Sequence, residues 1–273
     1  MSASIPARIE IPPFPGGKRL AVTTSFDDGV LQDRRVVESF NMWGLKGTFN
    51  LNSGLLGGGK KIPPAEVAAL YAGHEVAIHT VTHPWLDRLD ASQIATEVLE
   101  DRKALEDLVQ YPVRGMAYPF GTYNRQVIEI LRSLGIVYSR TVENRDPCFP
   151  PAEPLAWAAT AHQFGQHPEP VAARFEKHLA TNWSGVFFIW GHSYEFDDRW
   201  DAFERIYRPL AGHADVWYCT NIELFDYEAA RQRLVIAANR ATAFNPSARP
   251  VTLKVDGRFV DVPPGQVTPL AAT

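Results

Sequence analysis

Cysteine is scarce in this chain: its 273 residues hold two, Cys148 and Cys219. Two thiols so far apart support neither a disulfide framework nor a cysteine zinc site, and they read as buried apolar filler. Runs of lysine or arginine are missing, and the net charge of −4 with a pI near 6.1 gives no surface for a polyanion. Neither nucleic acid nor a membrane is therefore expected as a partner. No apolar stretch is long enough to span a bilayer. The opening MSASIPARIEIPPFPGGKRL lacks the basic, apolar and small-residue order of a signal peptide, so the cytoplasm is the expected location. Also absent is a GxGxxG turn after the first apolar strand, which argues against a dinucleotide-binding sheet.

What is present is a globular composition, 45% apolar and 21% charged, in a length that suits one large barrel domain or two small ones. The stretch LAVTTSFDDGV, residues 20 to 30, stands out. Its β-branched apolar run predicts a buried strand that stops at two adjacent acids and a glycine. Further strands are predicted at 47–54, 75–79, 113–119, 136–141, 186–190 and 215–220, with helical periodicity between them. Asp90 with Gln93 marks a capping box, and Asn124 and Gly135 bound another helix. Residues 142–169 hold several prolines without clear periodicity and read as a loop over a site. The tail alternates around Asp256 and Gly257, a hairpin signal. About seven strands alternating with helices predict an α/β fold, a closed or nearly closed β/α barrel. Its expected parts are an extension over 1–19, a barrel over 20–240 and a β-hairpin appendage over 241–273.

Polar residues gather at the predicted C-terminal strand ends, where barrel enzymes build their sites. They are Asp27 and Asp28, Asn50 and Asn52, His79 and His83, Tyr118 to Gly121, and His192. Two adjacent carboxylates repel each other and lose hydration, so one pKa rises unless a cation or hydrogen bond compensates. A simple Asp-Gly turn that caps the next helix would also account for the doublet. HTVTHPW, residues 79 to 85, places two histidines four apart. With a carboxylate on a neighbouring strand end they make three ligands with open positions, the pattern of a catalytic metal site. One aspartate would then bind metal, and the other would remain free to take a proton from water. His192 could protonate a leaving amine, or merely cap a helix. In YPFG, Pro119 and Gly121 can turn a backbone N–H toward a developing oxyanion.

The ordered set SFDDG, HTVTH, YPFG and WGHS resembles the motif series of the polysaccharide deacetylases of carbohydrate esterase family 4, the NodB-homology domain. The resemblance spans roughly residues 20 to 225. It implies a distorted (β/α)7 barrel, with the β appendage outside it, and metal-dependent removal of N-acetyl or O-acetyl groups from sugars. Zinc is the implied metal, with cobalt or manganese as substitutes, and an acetylated carbohydrate is the implied partner. By position, Asp27 matches the family's catalytic base, Asp28, His79 and His83 its metal ligands, the Phe120 amide its oxyanion donor and His192 its acid. Tyr118, Trp85, Trp157 and Tyr194 are candidates for contact with sugar, although core packing would explain most such aromatics. The chain departs from the pattern twice. Ala117 stands where the family has the arginine that orients the base, and the family's aspartate and tryptophan motif between strands five and six is not recognisable.

Three other readings stay open on sequence grounds. The site could hydrolyse a different C–N bond, such as that of a cyclic ureide or imide. It could hold iron for oxygen chemistry. The domain could bind carbohydrate with its turnover lost. The oligomeric state is also open, a homo-oligomer among the options.

Overall fold

All eight residues of Leu20–Asp27 are buried, and the main sheet is built outward from this strand. A computed structural model describes residues 8–146, 149–165 and 170–270. In chain order its main strands are β1 (Leu20–Asp27), β2 (Thr48–Leu51), β3 (Glu75–Ile78), β4 (Gly115–Ala117), β5 (Tyr138–Asn144), β6 (Trp157–Ala159), β7 (Ala161–His162), β8 (Gly185–Gly191) and β9 (Val216–Tyr218). They pair in parallel in the order β6-β5-β4-β3-β2-β1-β8-β7. Thr160 alone separates β6 from β7, so the two ends of that path are one continuous segment and the barrel closes. The Thr160 amide donates to the Phe188 carbonyl at 2.8 Å and its hydroxyl accepts from the Phe188 amide at 3.0 Å, which pins the closure. β9 pairs with the Leu20–Val22 half of β1, below the Ser25–Asp27 half that pairs with β2.

The closing segment lies inside the stretch expected to be a loop over the site. Strands of three and two residues around Ala-Ala-Thr-Ala carry no readable alternation, and this is why the sequence pattern misses them. Residues 147–148 and 166–169 of that expected loop, Cys148 included, lie outside the described residues. Cys219 is buried, as expected.

The helices cover the barrel wall. α1 (Asp33–Trp43) ends at Gly44 in the left-handed conformation, φ 71°, where a side chain would be strained. α2 (Val67–Leu70) is a single turn, and α3 (Ala91–Val109) starts at the Asp90/Gln93 capping box and buries Ile94, Val98 and Leu105. α4 (Arg125–Ser133) is capped by Asn124, whose side chain accepts from the Val127 amide. α5 (Val171–Ala180), α6 (Trp200–Tyr207) and α7 (Asn221–Arg233) complete the set. Phe26 of β1, Phe49 of β2, Phe40 of α1 and Tyr207 of α6 form one buried aromatic cluster beneath the end of β1. Truncating one of these rings to alanine costs about 3–5 kcal/mol, so Asp27 leaves the sheet from a stiff base.

The tail folds as the Asp256-Gly257 signal requires: Val251–Val255 and Arg258–Val262 pair antiparallel around two positive-φ residues. The N-terminal segment is tied down, since Ile9–Glu10 adds a third strand to this hairpin and Phe14 is buried against Phe149 and Trp217. A second small sheet joins Val235–Ile236, Thr242–Phe244 and Val267–Pro269, so the appendage draws in residues before 241.

Candidate active site

β1 ends in two acids with opposite fates. Asp27 is still in the sheet and buried, while Asp28 has left it with a φ of 82°, and Gly29 follows at 59°. These two left-handed residues turn the chain out of the sheet directly after Asp27. Glycine accepts the conformation freely, whereas Asp28 does so at a cost of roughly 1–2 kcal/mol. Lys61 holds the strained residue, donating to the Asp28 carbonyl at 2.8 Å with its ammonium 3.6 Å from the carboxylate.

The histidines are presented by the end of β3. His79 is buried and its Nδ1 lies 2.8 Å from the Ala117 carbonyl of β4, so Nδ1 carries the proton and Nε2 keeps its lone pair. Asp101 of α3 accepts from the His79 amide at 3.1 Å and fixes the strand end. Thr80 and His83 both have positive φ, and the tight turn they make folds His83 back until the two rings are 4.8 Å apart. Burial lowers the pKa of both histidines, that of His79 to about 4, so both are neutral at pH 7 as metal ligands must be. One carboxylate oxygen of Asp28 and one ring nitrogen from each histidine all lie within 4.8 Å of one another. A hard anionic oxygen and two neutral imidazoles, one locked in tautomer by a carbonyl, fit a divalent cation such as zinc.

Asp27 stands beside this triad, engaged elsewhere. Its Oδ1 accepts from Asn50 Nδ2 at 2.8 Å and its Oδ2 from the Arg140 guanidinium. Burial would raise its pKa, but the charge of Arg140, with smaller contributions from His79 and His192, reverses this and holds the carboxyl below the usual range. Across from it, His192 at the end of β8 places Nε2 3.9 Å from Asp27 Oδ2. Burial would lower the His192 pKa, but Glu195 and the charges of Asp27 and Asp28 outweigh it and raise the pKa instead.

The family model for polysaccharide deacetylases matches residues 16–139, which contain the acid doublet, the histidine pair and YPFG. Over those residues the chain is similar to the polysaccharide deacetylase family. The peptidoglycan-N-acetylglucosamine deacetylase PgdA of Listeria monocytogenes is 30% identical over 131 residues, 46% of this chain and 27% of that protein, so the chain spans about a quarter of that relative. Among solved structures, a candidate polysaccharide deacetylase from Mycobacterium smegmatis superposes with a TM-score of 0.64 at 18% identity, covering 82% of this chain and 96% of that one. The Xyl-CE4 domain of a multidomain xylanase from the hindgut metagenome of Trinervitermes trinervoides does so with a TM-score of 0.56 at 18% identity, covering 78% and 92%. At such identities these superpositions speak to the fold, which is the barrel of the polysaccharide deacetylases.

Against the deacetylase pattern, the vacancy at Ala117 is filled from the next strand. Ala117 and Arg140 are register partners in the β4–β5 ladder, so Arg140 brings a guanidinium into the space beside Asp27. It is fully buried and its guanidinium lies 4.3 Å over the Trp190 ring. A lone arginine in the apolar run IVYSRT was the signal available in the sequence, since a charge buried there needs a partner.

The expected aromatic contacts divide. Tyr118 and Trp157 are each 1% exposed: the Tyr118 hydroxyl is bound to the Leu155 carbonyl, and Trp157 packs on Tyr138 and Phe188. Both are core residues, which corrects the expectation that they meet substrate. Trp85, Phe120 and Tyr194 are 40%, 46% and 43% exposed. Trp85 stacks on Phe120 at 3.8 Å and 7°, and the Arg88 guanidinium also packs on its ring, 4.7 Å away. Phe120 meets His83 edge-on and has a φ of 57°, so this stack supports a strained backbone beside the triad. Tyr194 lies on the other flank, 4.9 Å from the His192 ring.

Proposed function

We propose that this chain is a metal-dependent hydrolase that removes acetyl groups, N-acetyl foremost, from a sugar, oligosaccharide or polysaccharide. The observation that carries the reading is the split of the acid doublet: Asp28 converges with His79 and His83, while Asp27 is held ionised by Arg140 and Asn50. Asp28, His79 and His83 would hold a divalent cation, zinc first and cobalt or manganese as substitutes, which would supply Lewis acidity and a lowered pKa for water.

Asp27 takes the proton of the attacking water as its oxygen bonds to the acetyl carbon. The Phe120 amide, set by its left-handed backbone between Pro119 and Gly121, donates to the oxygen on which charge develops. His192 gives its proton to the departing sugar nitrogen, the C–N bond breaks, and acetate and a free amine result. Tyr194 and the edge of the Trp85–Phe120 stack flank the opening and suit a pyranose ring.

The test is acetate release from chitooligosaccharides and acetylated xylan by zinc-loaded protein, beside cyclic ureides and imides. Acetate from the sugars, lost in Asp27→Asn protein that still binds zinc, supports the reading. Turnover of the cyclic amides alone, or sugar binding without acetate, overturns it.

A further inference from the structure

His162 and His192 converge on one carboxylate. Glu195 lies three residues after His192, in the short 3-10 turn Ser193–Phe196, and its Oε2 is 3.3 Å from His162 Nε2 and 3.6 Å from His192 Nδ1. The same oxygen accepts from the His192 amide at 3.0 Å and from Gln163 Nε2 at 2.6 Å.

Two histidines and a glutamate within 4.8 Å could be read as a second cation site. The tautomers favour a hydrogen-bonded assembly instead. The Phe164 amide donates to His162 Nδ1 at 3.1 Å, so in the neutral ring that nitrogen is an acceptor and Nε2 carries the proton toward Glu195. A cation at His162 Nε2 would need that proton gone and the Phe164 bond broken. Among the described residues, His192 Nδ1 is buried and has no hydrogen-bond partner, and the Glu195 carboxylate stands 3.6 Å away along the turn.

We propose that Glu195 is the positioning residue of His192: it fixes the ring with the Nδ1 proton turned inward and Nε2 facing Asp27. Gln163 holds Glu195 in turn. Its Nε2 also donates to the His192 carbonyl at 2.8 Å, and its Oε1 accepts from the buried Tyr207 hydroxyl at 2.8 Å. Gly191 leaves room for it, since a Cβ there would lie 2.2 Å from the Gln163 side chain. His192 is therefore oriented from its own turn, by a carboxylate gripped from β7 and α6. The inference rests on the proposed role of His192 as proton donor, and the groups facing that ring are Asp27 from β1 and Asp28 just past it, His162 from β7, and Tyr194 and Glu195 from its own turn.

The deciding experiment is a histidine-ring NMR titration of the zinc-loaded full chain, which needs no turnover. In Glu195→Gln protein the His192 pKa should fall by about one unit, and the Nδ1 proton signal should exchange faster. Glu195→Asp, which keeps the charge, should recover most of the shift. If acetate release is measurable, the basic limb of its pH profile should move down equally in Glu195→Gln. An unchanged His192 titration in Glu195→Gln overturns the inference, and a shifted titration without acetate release by the wild type would leave it standing while overturning the functional reading.

Discussion

Two buried carboxylates sit at opposite ends of the barrel and meet opposite electrostatic outcomes. Asp27 closes β1 at the open end beside Arg140; Glu75 opens β3 at the floor. Glu75 accepts from the Thr48 hydroxyl at 2.9 Å, the Tyr138 hydroxyl at 2.7 Å and the Ile222 amide at 2.9 Å, all neutral donors. Burial raises its pKa to about 7 despite those bonds, whereas the guanidinium takes Asp27 below the usual carboxylate range. Desolvation is common to both, so the neighbouring cation is the difference. The floor residue joins β2, β3 and β5 to the start of α7; the top residue remains an anion able to accept a proton.

The largest expected effect erases the charge at the top. Asp27→Asn should cut acetate release by about 10²–10⁴-fold with zinc affinity changed less than twofold, read by acetate assay and calorimetry. Arg140→Met should make Asp27 resemble Glu75. An uncompensated buried carboxylate costs about 3–5 kcal/mol, visible in urea unfolding at pH 7, and the acidic limb of the rate profile should move up. Wild-type activity itself should fall as pH drops through the depressed Asp27 pKa and again as pH rises through the elevated His192 pKa.

Glu75→Gln sharpens the contrast through stability. With a folded pKa near 7 and an ordinary unfolded value near 4.5, the folded state binds the extra proton between them, so this residue's contribution is full below about pH 4.5 and is lost as pH rises toward 7. The amide cannot titrate. Relative to wild type, the variant should gain at most about 1.4 kcal/mol per pH unit across that window, checked by denaturant unfolding at pH 5 and pH 7.5. Smallest is Trp85→Ala, which removes the ring stacked on Phe120. If that stack supports the Phe120 amide, kcat should fall by about tenfold with KM little changed; a raised KM alone would assign the ring to sugar contact.

The convergence of Asp28, His79 and His83 was legible because Asp28 belongs to an acid doublet at a strand end and the histidines stand four apart in a turn. The supporting side was not. Arg140, Glu195 and Gln163 reach Asp27 and His192 through strand register, a local turn and the space left by Gly191, none of which a linear pattern displays. The barrel was readable from strands that alternate with helices, and its closure was hidden because β6 and β7 are too short to show a period. Tyr118 and Trp157 looked available because sequence marks aromatic rings without marking which are covered.

The most direct test is anomalous diffraction from crystals of the full chain grown with zinc. A single peak bonded to Asp28, His79 and His83, with Asp27 still on Arg140 and Asn50 and outside the coordination sphere, is the predicted result. Zinc bound by Asp27, or seated on His162, His192 and Glu195 in place of the triad, would contradict it.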